Sequence, residues 1–190
     1  NKEMVSSVYR PKASSTMPDL DEIVSMATSG DQNAFVKLWQ FFYPKILKFL
    51  YTITGDAEDV CSEAWIKIAA AIKTFKGDGK AFVTWIYTIA RNLAIDHLRT
   101  LGRRGPTEEV LDHHVIGADQ YPSDVHAMLK CLKSEEAEVI SLRVIAGLDV
   151  PSVAEITGKT ESNIRVITHR SLNKLNEQLT KEGFVRGGAI

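Results

Sequence analysis

"PSVAEITGKTESNIRVITHRSLNKL", residues 151–175, decides how the rest of the chain is read. Its Gly158-Lys159-Thr160 matches the end of a phosphate-cradling loop, G-x-x-x-x-G-K-[ST]. Such a loop needs its first glycine at position 153, where Val153 stands. It also needs a strand before it, because amides at a strand-to-helix junction hold the phosphates. The preceding PSVAEITG is patterned as a helix instead. A nucleotide-hydrolysing site fails on both counts.

The stretch reads better as two helices joined by a tight turn. Pro151 suits a first helical position, where its missing N–H costs nothing. Val153, Ala154 and Ile156 give that helix an apolar side. Gly158 accepts positive φ and ends it. Thr160 is placed to cap the next helix through its hydroxyl. In that second helix Ile164, Ile167 or Thr168, Leu172, Leu175 and Leu179 form the buried stripe. Ser162, Arg165, Val166, His169, Arg170 and Asn173 recur at helical spacing on the opposite side. Guanidinium forks, an imidazole, small polar groups and one apolar contact suit base edges and phosphates in a major groove. The same spacing is compatible with a solvated face carrying scattered cations; the turn and the short helix before it favour the DNA reading.

Working upstream, alternating strand patterns are missing and helical periodicity recurs. Leu20, Ile23, Val24 and Ala27 form one stripe behind a candidate Asp19 N-cap. Phe35, Leu38, Phe42, Ile46 and Leu50 form a second, with Pro44 inside it predicting a kink or break. Asp56, with Asp59 three residues later, resembles a capping box ahead of a stripe of Val60, Ala64, Ile68, Ile72 and Phe75. A further run from 83 to 99 is expected to bury Trp85, Ile89 and Leu93.

The polar side of that run carries Tyr87, Thr88, Arg91, Asn92, Asp96 and Arg99, followed by Arg103 and Arg104. Just before it, FKGDGKAF sets Lys76 and Lys80 between Phe75 and Phe82. Basic and aromatic residues mixed in a loop suit unpaired bases and their backbone; Phe82 and Trp85 are equally compatible with a core role. Asp56, Glu58, Asp59 and Glu63 gather at one helix start, where they complement the helix dipole or face a basic partner.

Residues 106–126 hold Glu108, Glu109, Asp112, Asp119 and Asp124 and no Lys or Arg, the composition of an extended acidic linker. The expected organisation is a tail over 1–18, a helical unit over 19–100, the linker over 101–126, a second helical unit over 127–182 and a tail over 183–190. The fold class is all-α, with two small helical domains.

The chain of 190 residues carries a formal net charge of −1, and no stretch approaches the roughly 20 apolar residues of a membrane span. The N-terminus lacks the apolar core of a signal peptide. A cytoplasmic location is expected. Cys61 and Cys131 lie in no metal-ligand spacing and are read as buried small hydrophobes. The adjacent His113 and His114 are read as solvated. No metal, cofactor or small-molecule substrate is implied.

TGDAEDVCSEAWIKIAAAIKTFKGDGKAFVTWIYTIARNLAIDHLR resembles region two of the extracytoplasmic-function (group IV) sigma factors. LKSEEAEVISLRVIAGLDVPSVAEITGKTESNIRVITHRSLNKL resembles their region four. The two occur in order, with no room between them for a region three. The resemblance implies a protein that is not an enzyme. It would bind core RNA polymerase, direct it to promoter DNA, help open the duplex and be held inactive by an anti-sigma factor.

By that resemblance, Asp56, Asp59 and Glu63 face the clamp coiled coil of the large polymerase subunit. Asn92 helps hold a flipped −10 base, and the loop from Lys76 to Phe82 forms its pocket. Lys80, Tyr87, Arg91, Asp96 and Arg99 complete the single-strand surface. Ser162, Asn163, Arg165, Val166, His169, Arg170 and Lys174 read the −35 element. The acidic linker threads toward the active-site and RNA-exit channels. The competing reading is a stand-alone helix-turn-helix regulator with a helical sensory domain.

Overall fold

The computed structural model describes Met17, residues 19–102, Leu129 and residues 131–181. The acidic stretch with His113 and His114, and most of both expected tails, lie outside the described residues. Residues 101 and 102, expected to begin the linker, belong to a helix.

Among the described residues all regular structure is helical. Helices α1 (Leu20–Thr28), α2 (Gln32–Leu50), α3 (Ala57–Ala71) and α4 (Gly79–Gly102) build the first half. A short 3₁₀ turn, Ile72–Thr74, continues α3. In the second half, α5 (Ser134–Ile140) widens into a π turn over Ser141–Ile145, and α6 (Val150–Thr157) and α7 (Glu161–Lys181) follow.

The apolar stripes of α2 and α3 lie where periodicity sets them. Leu38, Phe42, Ile46 and Leu50 are buried, as are Val60, Ala64, Ile68 and Ile72. Pro44 does not end α2, which runs through it without interruption. Two expected caps differ in mechanism. Asp19 occupies the N-cap of α1 in the left-handed region (φ 56) and makes no side-chain cap bond. Asp56 stands at the N-cap of α3, also without a cap bond; its carboxylate meets His97 Nε2 at 2.7 Å instead.

In α4 the stripe is shifted. Phe82, Ile86, Tyr87, Ala90 and Ala94 are buried, while Trp85, Ile89 and Leu93 are only partly covered. Apolar residues nearly encircle this helix, so the neighbours α1, α2 and α3 decide which line goes innermost.

The second half buries Ala137, Val139, Ile140 and Leu142 with Val153, Ile156, Ile164, Ile167 and Leu175. These join the first half's buried residues in one cluster. The two halves therefore touch, through α4 against α6 and α2 against the π turn.

Cys61 is buried, as expected, and Cys131 is exposed in a turn, contrary to expectation. Burial pushes the Cys61 thiol up to about 12, leaving almost no thiolate near neutrality. A small alkylating reagent should therefore modify Cys131 and spare Cys61 in the native protein, both reacting after unfolding. Peptide mass spectra showing Cys61 alkylated at the native rate of Cys131 would contradict this burial.

Candidate nucleic-acid interface

The turn between α6 and α7 is built by local signals. Asp149 caps α6, its carboxylate accepting from Ser152 N at 3.0 Å. Gly158 ends α6 in the left-handed region (φ 70), and a Cβ there would meet nothing within 4 Å. The backbone angle, not crowding, is what favours glycine. Thr160 Oγ1 then accepts from Asn163 N at 3.2 Å, as expected for the cap of α7.

Ile164, Ile167, Ser171 and Leu175 face inward along α7. Ser162, Asn163, Arg165, Val166, His169, Arg170 and Asn173 are all exposed on the other side. The expected reading face is thus assembled and uncovered. Arg165 spends itself on Glu161 at 2.6 Å, an exposed i,i+4 pair that a phosphate or base could displace at little cost. Lys174 is drawn elsewhere: its Nζ lies 2.6 and 2.8 Å from the two Glu136 oxygens. Lys159 likewise meets Glu135 at 2.5 Å. The acidic start of α5 thus holds the turn and the body of α7. Burial alone would raise the Glu136 pKa, but the Lys174 bond and the Lys133 backbone N–H outweigh it, and the net shift is downward.

The start of α4 is braced from far away in sequence. Gly79 N donates to Asp21 Oδ1 at 2.7 Å, and Ala81 N to Asp78 Oδ1 at 2.8 Å. A Cβ on Gly79 would lie 2.6 Å from Leu20 Cγ, so α1 sits directly on the loop over 75–79. Of the residues proposed to meet unpaired DNA, Lys76, Lys80, Asn92, Asp96 and Arg99 are exposed. Asp96 and Arg99 pair loosely at 3.3 Å.

Two of that set are misassigned. Phe82 is 0% exposed and packs edge-on against Phe42 and Phe75. Tyr87 is 1% exposed, its ring 5.4 Å from that of Phe49. Neither can stack on a base in this arrangement. Packing explains both: each ring meets a ring of α2, Phe42 for Phe82 and Phe49 for Tyr87. The aromatic pair that does reach the surface is Phe75 with Trp85, centroids 4.9 Å apart and planes 33° apart. Sequence reasoning placed Trp85 in the core, and local pattern offered nothing to set it apart from Phe82, which lies one turn back on the same side and touches it at 5.9 Å between ring centroids.

Arg91 is engaged by the second half. Its Nε lies 2.6 Å from Glu138 Oε1 and its Nη2 3.4 Å from Oε2. Lys80 Nζ lies 2.7 Å from Asp149 Oδ2. Burial alone would raise the Asp149 pKa, but bonds from Lys80 and Ser152 outweigh it and bring it to about 2. Lys80 is shifted upward by the same carboxylate, so the pair is charged throughout the neutral range.

On α3, Asp59 and Glu63 are exposed, Glu63 pairing with Lys67 at 3.2 Å. Asp56, grouped with them in the sequence, is committed to His97. Ile66 is 69% exposed beside Glu63. It was not singled out, although it is out of phase with the Val60–Ala64–Ile68 stripe and so had to face outward.

Residues 38–104 match the family model of sigma-70 region 2, and residues 123–175 that of sigma-70 region 4. The sigma-E factor of Escherichia coli, an extracytoplasmic-function sigma factor, is 35% identical over 133 residues, covering 66% of this chain and 68% of that protein. The chain belongs to the extracytoplasmic-function sigma factors of RNA polymerase. The sigma factor BldN of Streptomyces coelicolor is 29% identical over 179 residues, 87% of this chain and 68% of that protein. The fold is shared with the sigma factor RpoE of Bartonella quintana, solved with the anti-sigma factor NepR. That likeness has a TM-score of 0.62 at 24% identity and covers 77% of this chain and 96% of that one. In this sigma factor, α2 from Leu38, α3 and α4 thus fall within the region 2 match, and α5, α6 and most of α7 within region 4.

Proposed function

We propose that this sigma factor is a promoter-specificity subunit and not an enzyme. It binds core RNA polymerase through α3, sets α7 in the major groove of a −35 element and holds unstacked −10 bases against the start of α4. The observation that carries this reading is the uncovered polar face of α7, backed by a buried line and fixed at its start by Gly158 and Thr160. Duplex is read by groups already in place. Unpaired bases meet the aromatic pair Phe75 and Trp85 and the amide of Asn92. Extruding a base costs a few kcal/mol, and a surface that accepts only the extruded base shifts the equilibrium toward open DNA.

Such work belongs in the cytoplasm, where polymerase is. No helix among the described residues is long and apolar enough to cross a membrane. An anti-sigma factor is the expected regulatory partner, as one is for the Bartonella relative in its solved complex.

The test is co-purification of the full chain with its host's core polymerase, followed by run-off transcription. The native chain should co-elute and direct initiation. Asp59→Lys with Glu63→Lys should weaken association by about tenfold or more, because like charges then face each other across the interface. Unchanged co-elution of the reversed variant would remove α3 from the docking role. Duplex operator binding that is tight without polymerase would instead favour a stand-alone regulator.

A further inference from the structure

The amide of Gly79 opens α4, where an N–H has no carbonyl of its own helix to meet. Asp78 satisfies another such donor, accepting from Ala81 N at 2.8 Å. Gly79 N instead donates to Asp21 Oδ1 at 2.7 Å, on a helix 58 residues away in sequence. Two close approaches tighten the same spot. A Cβ on Gly79 would lie 2.6 Å from Leu20 Cγ and 2.7 Å from Asp21 Oδ1. One on Gly77 would lie 2.9 Å from Phe75 Cζ and 2.8 Å from Ala81 Cβ. Helix α1 therefore presses on the loop at Gly79, and the Phe75 ring lies back against Gly77. We propose that Asp21 is a positioning residue for strand capture: from α1 it fixes the start of α4 and so holds Phe75 and Trp85 in the arrangement that an extruded base meets. The inference rests on the reading under Proposed function.

Three observations support it. Phe75 precedes Gly79 in the chain and Trp85 follows it, and their rings lie 4.9 Å apart. The pinned amide thus sits on the short segment that joins the two rings, and a frayed first turn would let them part. Gly79 is itself buried, so an amide that lost Asp21 would be left poorly solvated, and the turn would shift to satisfy it. A surface already in its binding form also avoids the ordering cost that a loose loop would add to each capture. A carboxylate repels phosphate, so Asp21 acts through the loop and not on the strand. It does so from outside residues 38–104, the segment that matches region 2.

The deciding variant is Asp21→Ala in the full chain. Asp21→Asn keeps an accepting oxygen and serves as rescue. Glu22→Ala removes a charge from the same turn of α1 and serves as control. Amide proton exchange at Gly79, followed by nuclear magnetic resonance, should quicken about tenfold or more in Asp21→Ala alone, the factor for a hydrogen bond to a charged group. With core polymerase, at a promoter active in run-off transcription, permanganate reactivity of the −10 thymines should fall by a similar factor for Asp21→Ala. Core association and closed-complex binding should stay at native levels, and the other two variants should open DNA normally. Gly79→Ala leaves Asp21 in place but forces α1 off the loop, so it too should lower opening, although alanine is the better helix former. Unchanged Gly79 exchange in Asp21→Ala would overturn the brace. Faster exchange with native opening would overturn the positioning role and leave the α4 assignment intact. Equal loss of closed and open complexes would make Asp21 a structural residue only. Normal opening by Trp85→Ala would remove the aromatic platform itself, and the proposal with it.

Discussion

Replacing Arg165 and Arg170 together by alanine is expected to lower transcription from a promoter this chain directs by at least about 30-fold. A good bidentate contact to a base is worth roughly 1–3 kcal/mol, and two independent contacts multiply in rate or affinity. Neither arginine supports the fold. Both are exposed, and on this face Arg165 pairs with Glu161 one turn away, a contact that contributes little in water. The double variant should keep its melting temperature and its association with core polymerase. Run-off transcription on the native promoter and on −35 variants separates the outcomes. Unaltered promoter preference would take the reading role away from α7, whatever happened to total activity.

The helix-turn-helix was legible because its signals are local. Gly158 and Thr160 act within a few residues of themselves, and the α7 stripe has a single apolar line to choose. The inner line of α4 was not legible for the opposite reason. Phe82, Val83, Trp85, Ile86, Ile89, Ala90, Leu93 and Ala94 cover most of its circumference, so period alone cannot say which line faces α2. Two threonines blur it further by bonding backward, Thr84 to Lys80 O and Thr88 to Thr84 O. That single shift accounts for Phe82 and Tyr87 leaving the DNA surface and for Trp85 approaching it.

Partners distant in sequence were also beyond local pattern. Asp56 has the residue type and position of a cap, yet its carboxylate meets His97, 41 residues away. Gly79 N finds Asp21 across 58 residues, and Arg91 finds Glu138 across 47. A charge count along the chain sees five ordinary ionisable residues at these positions. Only the packing of α3 and of region 4 on α4, and of α1 on the 75–79 loop, brings them together.

Phe82→Ala should destabilise the chain by about 3–5 kcal/mol, the range for emptying a buried phenylalanine site. That is a large share of the roughly 5–15 kcal/mol by which a small domain is stable at all. The site has little means of collapsing. Phe82 is 0% exposed, and its ring is boxed by Phe42 at 6.1 Å, Phe75 at 5.6 Å and Trp85 at 5.9 Å. Those neighbours come from α2, the loop and α4, so one cavity loosens three segments. Trp85→Ala should behave differently. Its ring is half-covered and stacked on Phe75, so its loss should cost under about half as much stability, while removing the surface on which an extruded base would rest, worth about 1–3 kcal/mol per stacked base. Urea midpoints should therefore rank native above Trp85→Ala above Phe82→Ala. Permanganate reactivity of promoter thymines, measured where both variants remain folded, should fall most for Trp85→Ala. The reverse ranking of reactivity, with Trp85→Ala opening DNA normally, would return Trp85 to a purely structural role and leave Asn92 and the lysines to hold the strand without an aromatic platform.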